Sequence, residues 1–191
     1  MALAVFSASY TPLHPYTFGD DRPKVVARMS GGAEQRAATL SRPLRTYRLL
    51  LMRQSSDRAA IDTFFATAGY GVTSFLWKDL QDYARTGITP TPATSDGANA
   101  VFTIPLTGLY GGDYPIDDGN AILYRAGVAA TKTVQTDART MTAAVAPLTG
   151  GAMTMDYQFY RRVVLDQPYR WVHFQYGYFR TELTFREVPS T

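Results

Sequence analysis

One segment of the chain has the periodicity of a helix, and turns divide the rest into short runs. Four apolar residues recur at the spacing i, i+3, i+4 and i+7, which puts them on one helix face: Ile61, Phe64, Phe65 and Ala68. Ser55 or Ser56 is predicted to cap this helix, with Asp57 in its first turn. Gly69 supplies the left-handed residue that usually ends a helix. With one such segment, the chain is predicted to be mainly β.

The other periodic segments resemble β-strands, and aromatic residues make up 13% of the chain. Strands are predicted over residues 24–29, 44–53, 72–77 and Met153–Phe159, with a last strand through Phe179, Leu183 and Phe185. Apolar side chains occur on both faces of the run 44–53. We therefore expect that strand to be covered on both sides.

Composition changes in the middle of the chain. Residues 84–99 are rich in Thr, Pro, Ala, Ser and Gly, which is typical of a connecting segment. Beyond it, turn sequences recur about every ten residues, at 117–119, 126–127, 136–138 and 148–151. We predict one domain from residues 1–85 and 153–191, interrupted by a small antiparallel β domain at 86–152.

Composition also excludes several kinds of chemistry. The chain has 191 residues, no cysteine and two histidines, which removes disulfide frameworks, thiol nucleophiles and Cys/His zinc sites. The formal net charge of the chain is +3. The sixteen arginines are dispersed along the sequence rather than clustered, so no specific nucleic-acid binding is expected. No apolar stretch is long enough to span a membrane, and the N-terminus lacks the features of a secretory signal. We expect a protein that is made and used without export.

The remaining candidates for chemistry have simpler explanations. Residues 117–120 resemble the start of a calcium loop but lack the glutamate at position twelve, and a hairpin turn explains them better. His173 lies among aromatic residues, which favours a core or interface role over catalysis. Asp79 and Asp82 could form a pair of catalytic carboxylates, although a polar turn beside Lys78 is preferred. No catalytic residue, metal or cofactor is predicted.

Two polar clusters are not explained by a free monomer. The first includes Glu34, Gln35 and Arg36, in a connection that precedes the strand at 44–53, followed by Arg45 at the start of that strand. The second combines aromatic and charged residues: Trp77, Lys78, Asp79, Asp82 and Tyr83. Arg, Trp and Tyr are enriched at the buried centres of protein interfaces. These residues are predicted to form a protein interface or to fix turns, and surface arginines with core aromatics are an equally acceptable explanation.

The same residues carry a family resemblance. The pattern is Gly32-x-Glu34-Gln35-Arg36, Ser41-x-Pro43-x-Arg45-x-Tyr47, Phe64-Phe65, Gly69, and Phe75-x-x-Lys78-Asp79-x-x-Asp82-Tyr83. It resembles the DUF2460 family, which comprises tail proteins of long-tailed phages and gene transfer agents. The resemblance is strong over residues 22–85 and continues weakly to the C-terminus. It implies a tail-tube-like β-sandwich with one α-helix, plus the small inserted β domain.

The resemblance also implies a function. A member of this family would be a distal tail protein, a structural virion component whose ring, expected to be a hexamer, joins the tail tube to the baseplate hub. Its partners would be further copies of itself, the tail tube protein, the hub protein and the tape measure protein. Its location would be the distal end of the virion tail, after assembly in the cytoplasm of the bacterial host.

Two other classes of function remain open at the level of sequence. A carbohydrate- or receptor-binding module is the alternative, because Tyr110, Tyr114 and Tyr124 could present aromatic faces in the middle region. A tail-associated wall hydrolase is the weakest hypothesis, because no metal-ligand set and no nucleophile with a base at suitable spacing is visible.

Overall fold

The chain folds into two compact units in a computed structural model. Unit 1 is Met1–Trp77 with Arg162–Thr191, and unit 2 is Lys78–Arg161. The structure describes residues 3–10, 12–21, 24–28, 34–38, 44–94, 97, 100–105, 115–135, 140–143 and 150–188.

Strands dominate both units, which confirms a mainly β fold with a single helix among the described residues. The α-helix α1 spans Ser55–Thr67. The strands are, in chain order, β1 (Leu13–Asp21), β2 (Lys24–Arg28), β3 (Glu34–Ala38), β4 (Leu44–Gln54), β5 (Phe75–Trp77), β6 (Ala84–Ile88), β7 (Val101–Thr103), β8 (Ile116–Arg125), β9 (Val128–Ala130), β10 (Lys132–Gln135), β11 (Thr140–Ala143), β12 (Met153–Phe159), β13 (Arg161–Leu165), β14 (Val172–Gln175) and β15 (Tyr178–Glu187).

Unit 1 is organised around a six-stranded sheet in the order β1-β4-β15-β13-β5, with β14 also paired to β15. β4 and β15 form its centre and pair antiparallel without interruption, from Gln54 opposite Tyr178 to Thr46 opposite Arg186. The predicted strands at 24–29, 44–53 and near the C-terminus are all present. Only Phe75–Trp77 of the segment 72–77 is a strand.

Helix α1 occurs where the apolar spacing predicts it, but its N-terminus differs from the prediction. Gln54 is the N-cap residue, no side chain caps the helix, and Ser55 and Ser56 lie inside it. The predicted serine cap is therefore wrong. Gly69 does follow the helix in a left-handed conformation, with φ of 66°. Gly71 adopts φ of 99°, and a Cβ there would lie 2.5 Å from the Leu165 carbonyl oxygen, so only glycine fits.

Aromatic side chains fill the core between α1 and the sheet. Phe65 is fully buried, and its ring centroid lies 5.8 Å from that of Phe75 and 6.2 Å from that of Phe185. Phe6 joins this core because its segment pairs with β5, through hydrogen bonds from Phe6 N to Leu76 O and from Leu76 N to Ala4 O. The aromatic face of the predicted helix thus packs on a sheet.

The opposite face of the sheet is only partly covered in the described structure. Tyr47, Leu49 and Leu51 of β4 point to the core and are at most 1% exposed. On the alternate positions, Arg48 is exposed and Leu50 is half-buried. The expectation that this strand is covered on both sides therefore holds for one face only.

Unit 2 consists of two small antiparallel sheets, β6-β12-β8-β9 and β10-β11-β7. The side chains of β12 alternate between buried and half-buried positions, as its sequence predicts. The core is formed by aliphatic, methionine and aromatic residues: Phe102, Ile104, Ile116, Ala121, Leu123, Met141, Ala143, Met153, Met155, Tyr157 and Phe159. No helix in the described part of the chain is both long and apolar enough to cross a bilayer.

Several features of unit 2 differ from the expectations from sequence. The unit begins before residue 86 and ends after residue 152, because β6 and β12 pair with each other in its own sheet. The turn predicted at 117–119 is wrong, since these residues lie within β8, next to a register shift opposite β12. The turn at Ala126 and Gly127 is confirmed by their positive φ angles. The turn residues at 136–138 lie outside the described residues, as do 148 and 149 of the last turn.

Candidate functional site

A buried arginine organises the polar turn at the start of unit 2. Arg161 is the largest fully buried side chain in the described structure, and only 2% of it is exposed to solvent. Its Nε donates to Asp79 Oδ2 over 3.2 Å, and its Nη2 donates to Asp82 Oδ2 over 2.7 Å. One guanidinium thus holds both carboxylates that the sequence presented as a possible pair. A buried charge of this kind is stable only when it is paired and hydrogen-bonded.

The turn itself is fixed by the same aspartates. The Asp79 side chain accepts a hydrogen bond from the backbone N–H of Gln81, and the Asp82 N–H donates to the Asp79 carbonyl. Arg85 binds the second oxygen of Asp82 over 2.6 Å, and its guanidinium lies 5.3 Å from the centroid of the Phe159 ring. The two carboxylates are therefore engaged by arginines and by the backbone.

Lys78 extends this cluster to the other strands of unit 2. Its Nζ donates to Asp117 Oδ2 and to Gln158 Oε1, both over 2.8 Å. It also lies 5.8 Å from the ring centroid of Tyr83 and 5.1 Å from that of Tyr160. The contacts join the first turn of unit 2 to β8 and β12.

Electrostatics at Asp117 follow from these contacts. Burial by itself raises the pKa of the Asp117 carboxyl, but hydrogen bonds from Lys78 and Asn120, with the Lys78 charge, bring it below its ordinary value. Burial raises the pKa of the Tyr160 hydroxyl, and the Asp117 carboxylate adds to that rise. Asp117 is therefore an anion that Lys78 and Asn120 hold in place at neutral pH.

Arg161 was not among the candidates from sequence, although a signal for it exists. The alternation of β12 continues through Met153, Met155, Tyr157 and Phe159 to position 161, so a buried residue is expected there. A charged residue at a buried position of a strand requires a charged partner. The aspartates of the 78–83 turn meet that requirement.

Arg45 of β4 and Trp77 of β5, both predicted to form an interface or to fix turns, have different environments in unit 1. Arg45 is half-buried. Its backbone N–H donates to Glu187 Oε2 over 3.1 Å, and its side-chain Nε lies 3.4 Å from Asp20 Oδ1. Trp77 is 5% exposed, with its ring centroid 4.5 Å from that of Tyr47. Arg45 thus joins β1, β4 and β15 near the surface, whereas Trp77 belongs to the core and offers no surface to a partner.

The residues Glu34, Gln35 and Arg36 form part of β3 rather than a connection. β3 pairs antiparallel with β2, and Arg36 lies opposite Val26. Within the described part of the chain, these two strands make a sheet of their own and pair with no third strand. The roles expected for the side chains of Glu34, Gln35 and Arg36 fall outside what the structure describes.

The other candidates are dispersed. His173 is exposed on β14, with its ring centroid 5.2 Å from that of Phe179, so it is not a core residue. Tyr124 is half-buried on β8. Tyr110 and Tyr114 lie outside the described residues. Among the described residues, no group of three or more His, Cys, Asp or Glu side chains is arranged to hold a metal ion.

No protein-family model matches the chain, and no curated protein is significantly similar to it.

Proposed function

We propose that the chain is a structural protein of a phage tail, a distal tail protein that assembles into a ring between the tail tube and the baseplate hub. The sequence pattern over residues 22–85 suggests this role. The observation that carries the proposal is the β2–β3 hairpin, which pairs with no third strand among the described residues. A two-stranded hairpin is marginally stable in water by itself. A neighbouring copy of the chain supplies the strand that completes it.

The edges of the main sheet support the same interpretation. β1 and β14 each have one strand partner in the described structure, β4 and β15 respectively. Unprotected edges tend to pair with other chains, and a closed ring of subunits removes them. In a cyclic oligomer each copy presents two different surfaces that meet head to tail. Two separate edges on one sheet provide two such surfaces.

Exposed apolar side chains surround the tip of the β14–β15 hairpin. Val172, Phe174, Tyr176 and Tyr178 are all exposed, and Tyr176 is 90% exposed at the turn. Contiguous apolar surface of this kind marks interaction sites on soluble proteins. In the proposed ring, this tip is buried against the next copy.

The first test is the mass of the purified protein by light scattering, alone and mixed with the tail proteins encoded beside it. One chain weighs 21.1 kDa, and a six-membered ring would weigh about 127 kDa. We expect a species near the larger mass in at least one sample. A 21.1 kDa monomer in both samples would contradict the ring.

Two variants test the surfaces. Arg36→Glu is expected to prevent assembly while leaving the circular dichroism spectrum and the melting temperature unchanged. Tyr176→Asn should do the same, because Tyr176 has a φ of 35° and asparagine tolerates that conformation. Arg186→Glu is the control, since it makes the same charge change on β15 away from the β2–β3 hairpin and the β14–β15 tip. Normal rings from both Arg36→Glu and Tyr176→Asn would refute these surfaces.

A further inference from the structure

The arm, defined here as residues 3–10 before β1, is attached to unit 1 at one point. Two backbone hydrogen bonds of 2.8 Å, from Phe6 N to Leu76 O and from Leu76 N to Ala4 O, pair it in parallel with β5. Phe6 is 2% exposed and is the one buried side chain of residues 3–10, whereas Val5 is 47% exposed. A single aromatic side chain and a single bridge to β5 therefore anchor the arm.

The pocket that receives Phe6 is part of the core of unit 1. Aromatic rings from α1, β5 and β15 form it, and their centroids lie 5.3 to 6.2 Å from that of Phe6: Phe64, Phe65, Phe75 and Phe185. Many proteins recognise an extended segment in this way, with backbone hydrogen bonds along a sheet edge and a pocket for one side chain. The β5 edge and this pocket together are thus a binding site for a strand with one aromatic anchor.

The strand order places this binding site away from β1. The order β1-β4-β15-β13-β5 puts β1 and β5 at opposite edges of the main sheet, and the arm pairs at the β5 edge although it leads into β1. In the proposed ring, the copies meet head to tail through the two edges of this sheet. The β1 edge of one copy then faces the opposite edge of the next copy. The arm of each copy is therefore within reach of the neighbour's β5.

A short turn follows the anchored part of the arm. The Tyr10 N–H donates to the Ser7 carbonyl, and the hydroxyls of Ser7 and Ser9 hydrogen-bond to each other over 2.7 Å. Ser7, Ala8 and Ser9 are all exposed. These bonds join residues of the turn to one another, so the turn can open without breaking a bond to the sheet. A hinge of this kind allows identical elements to be exchanged between copies, because the same contacts form again in the neighbour.

We propose that neighbouring copies exchange their arms, so that Phe6 of each copy fills the aromatic pocket of the next and its backbone extends the next copy's sheet at β5. The occupant is a second copy of this chain, because residues 4–6 are the sequence that the pocket and the β5 edge already receive. The inference rests on the proposed ring and specifies how its copies are held together. Each seam of the ring then contains one buried aromatic anchor.

The chain has no cysteine, so a disulfide introduced between the arm and β5 tests the exchange directly. Val5 and Leu76 lie opposite each other in the parallel bridge. Neighbouring strands are about 4.8 Å apart, within the Cα separation of about 4.4–6.8 Å that a disulfide spans. The variant with both Val5→Cys and Leu76→Cys is assembled, oxidised and run on a denaturing gel without reductant. We expect covalent dimers up to hexamers, which a reductant converts to monomers.

Light scattering before oxidation distinguishes a failure of the exchange from a failure of the ring. A ring whose disulfides all lie within single chains would overturn the exchange and leave the ring in place, as would a ring that forms no disulfide. A 21.1 kDa monomer in every sample would overturn both proposals. Val5→Cys and Leu76→Cys alone are the matched controls, because one cysteine per chain cannot link more than two copies.

Phe6→Ala tests the anchor by a separate measurement. Exchange predicts that the protein concentration at which half of the rings dissociate rises about tenfold or more, because every seam loses its buried ring. Tyr10→Ala is the control, since it removes an aromatic ring of the same arm that is only half-buried. A lower melting temperature with an unchanged dissociation midpoint would assign Phe6 to the core of its own chain and overturn the exchange.

Discussion

The two units of the chain fill their interiors in different ways. In unit 1, aromatic rings from α1, β5, β15 and the N-terminal segment pack against one another around the fully buried Phe65. In unit 2, no helix is present among the described residues, and strands pack around methionine, aliphatic and aromatic side chains with the buried Arg161 nearby. The interior of unit 1 is built from packed rings, whereas unit 2 also buries an arginine that donates hydrogen bonds to two carboxylates.

This difference makes the two units sensitive to different substitutions. An aromatic core loses stability in proportion to the volume removed and to the cavity that is left. A buried ion pair loses most when one partner is removed, because the other charge stays buried without compensation. Substitutions matched within and between the units separate these two cases.

The largest effect is expected at Arg161. Arg161→Met leaves Asp79 buried without its guanidinium and should lower the free energy of unfolding by about 4 kcal/mol. Hydrogen exchange measured by mass spectrometry should show the loss of protection in peptides from residues 78–161. Arg162→Met is the control, since the neighbouring Arg162 is half-buried and donates to Ser74. An equal loss of unfolding free energy from both variants would show that the buried ion pair stabilises the fold no more than the hydrogen bond of Arg162 does.

The next effect concerns the aromatic core of unit 1. Phe65→Ala should lower the free energy of unfolding by about 3 kcal/mol, because the ring is fully buried. Phe64→Ala should cost less, since Phe64 is only half-buried on the same helix. Both tryptophans, Trp77 and Trp171, belong to unit 1, so their fluorescence during urea unfolding reports this unit. A larger loss at Phe64 would contradict the orientation of the helix.

A smaller effect is expected where the backbone approaches closely. Gly71→Ala should cost about 2 kcal/mol, from strain at φ of 99° and from the clash with the Leu165 carbonyl. Gly177→Ala shares the positive φ but meets nothing within 4 Å, so it should cost about 1 kcal/mol. Thermal unfolding followed by fluorescence compares the two. If both variants melt at the same temperature, the close approach at Gly71 contributes nothing.

The smallest effect is pH-dependent and lies in unit 2. Because the folded pKa of Asp117 is lowered, its carboxylate stabilises the fold at neutral pH, and this contribution is lost as the pH falls below about 4. Asp117→Asn should therefore cost about 1 kcal/mol at pH 7 and less at pH 3. Urea titrations of both proteins at the two pH values measure this difference. An equally large difference at pH 3 and pH 7 would mean that the shape of the Asp117 side chain, and not its charge, stabilises this position.

Local patterns in the sequence predict much of the fold, because they record which face of an element is buried. The helix periodicity around Phe65 and the alternation of β12 are of this kind. The turn predicted at Asp117–Gly119 is wrong. Acidic residues followed by a glycine usually form a turn, whereas here Lys78 holds Asp117 within β8. That bond joins residues far apart in sequence, which no local pattern reveals.

The candidate site is harder to predict from the sequence than the fold, for the same reason. The 78–83 turn is recognisable, but its partner Arg161 is about eighty residues away along the chain.

The position of unit 2 in the chain has a consequence for how such a protein can change. The chain leaves unit 1 after β5 and returns to it at β13, and these two strands are neighbours in one sheet. The ends of the intervening segment are therefore held close to each other by unit 1 itself. Insertions between ends of this kind are well tolerated. The segment between them is consequently a place where lineages can gain, lose or exchange a whole module while the host domain keeps its own sheet.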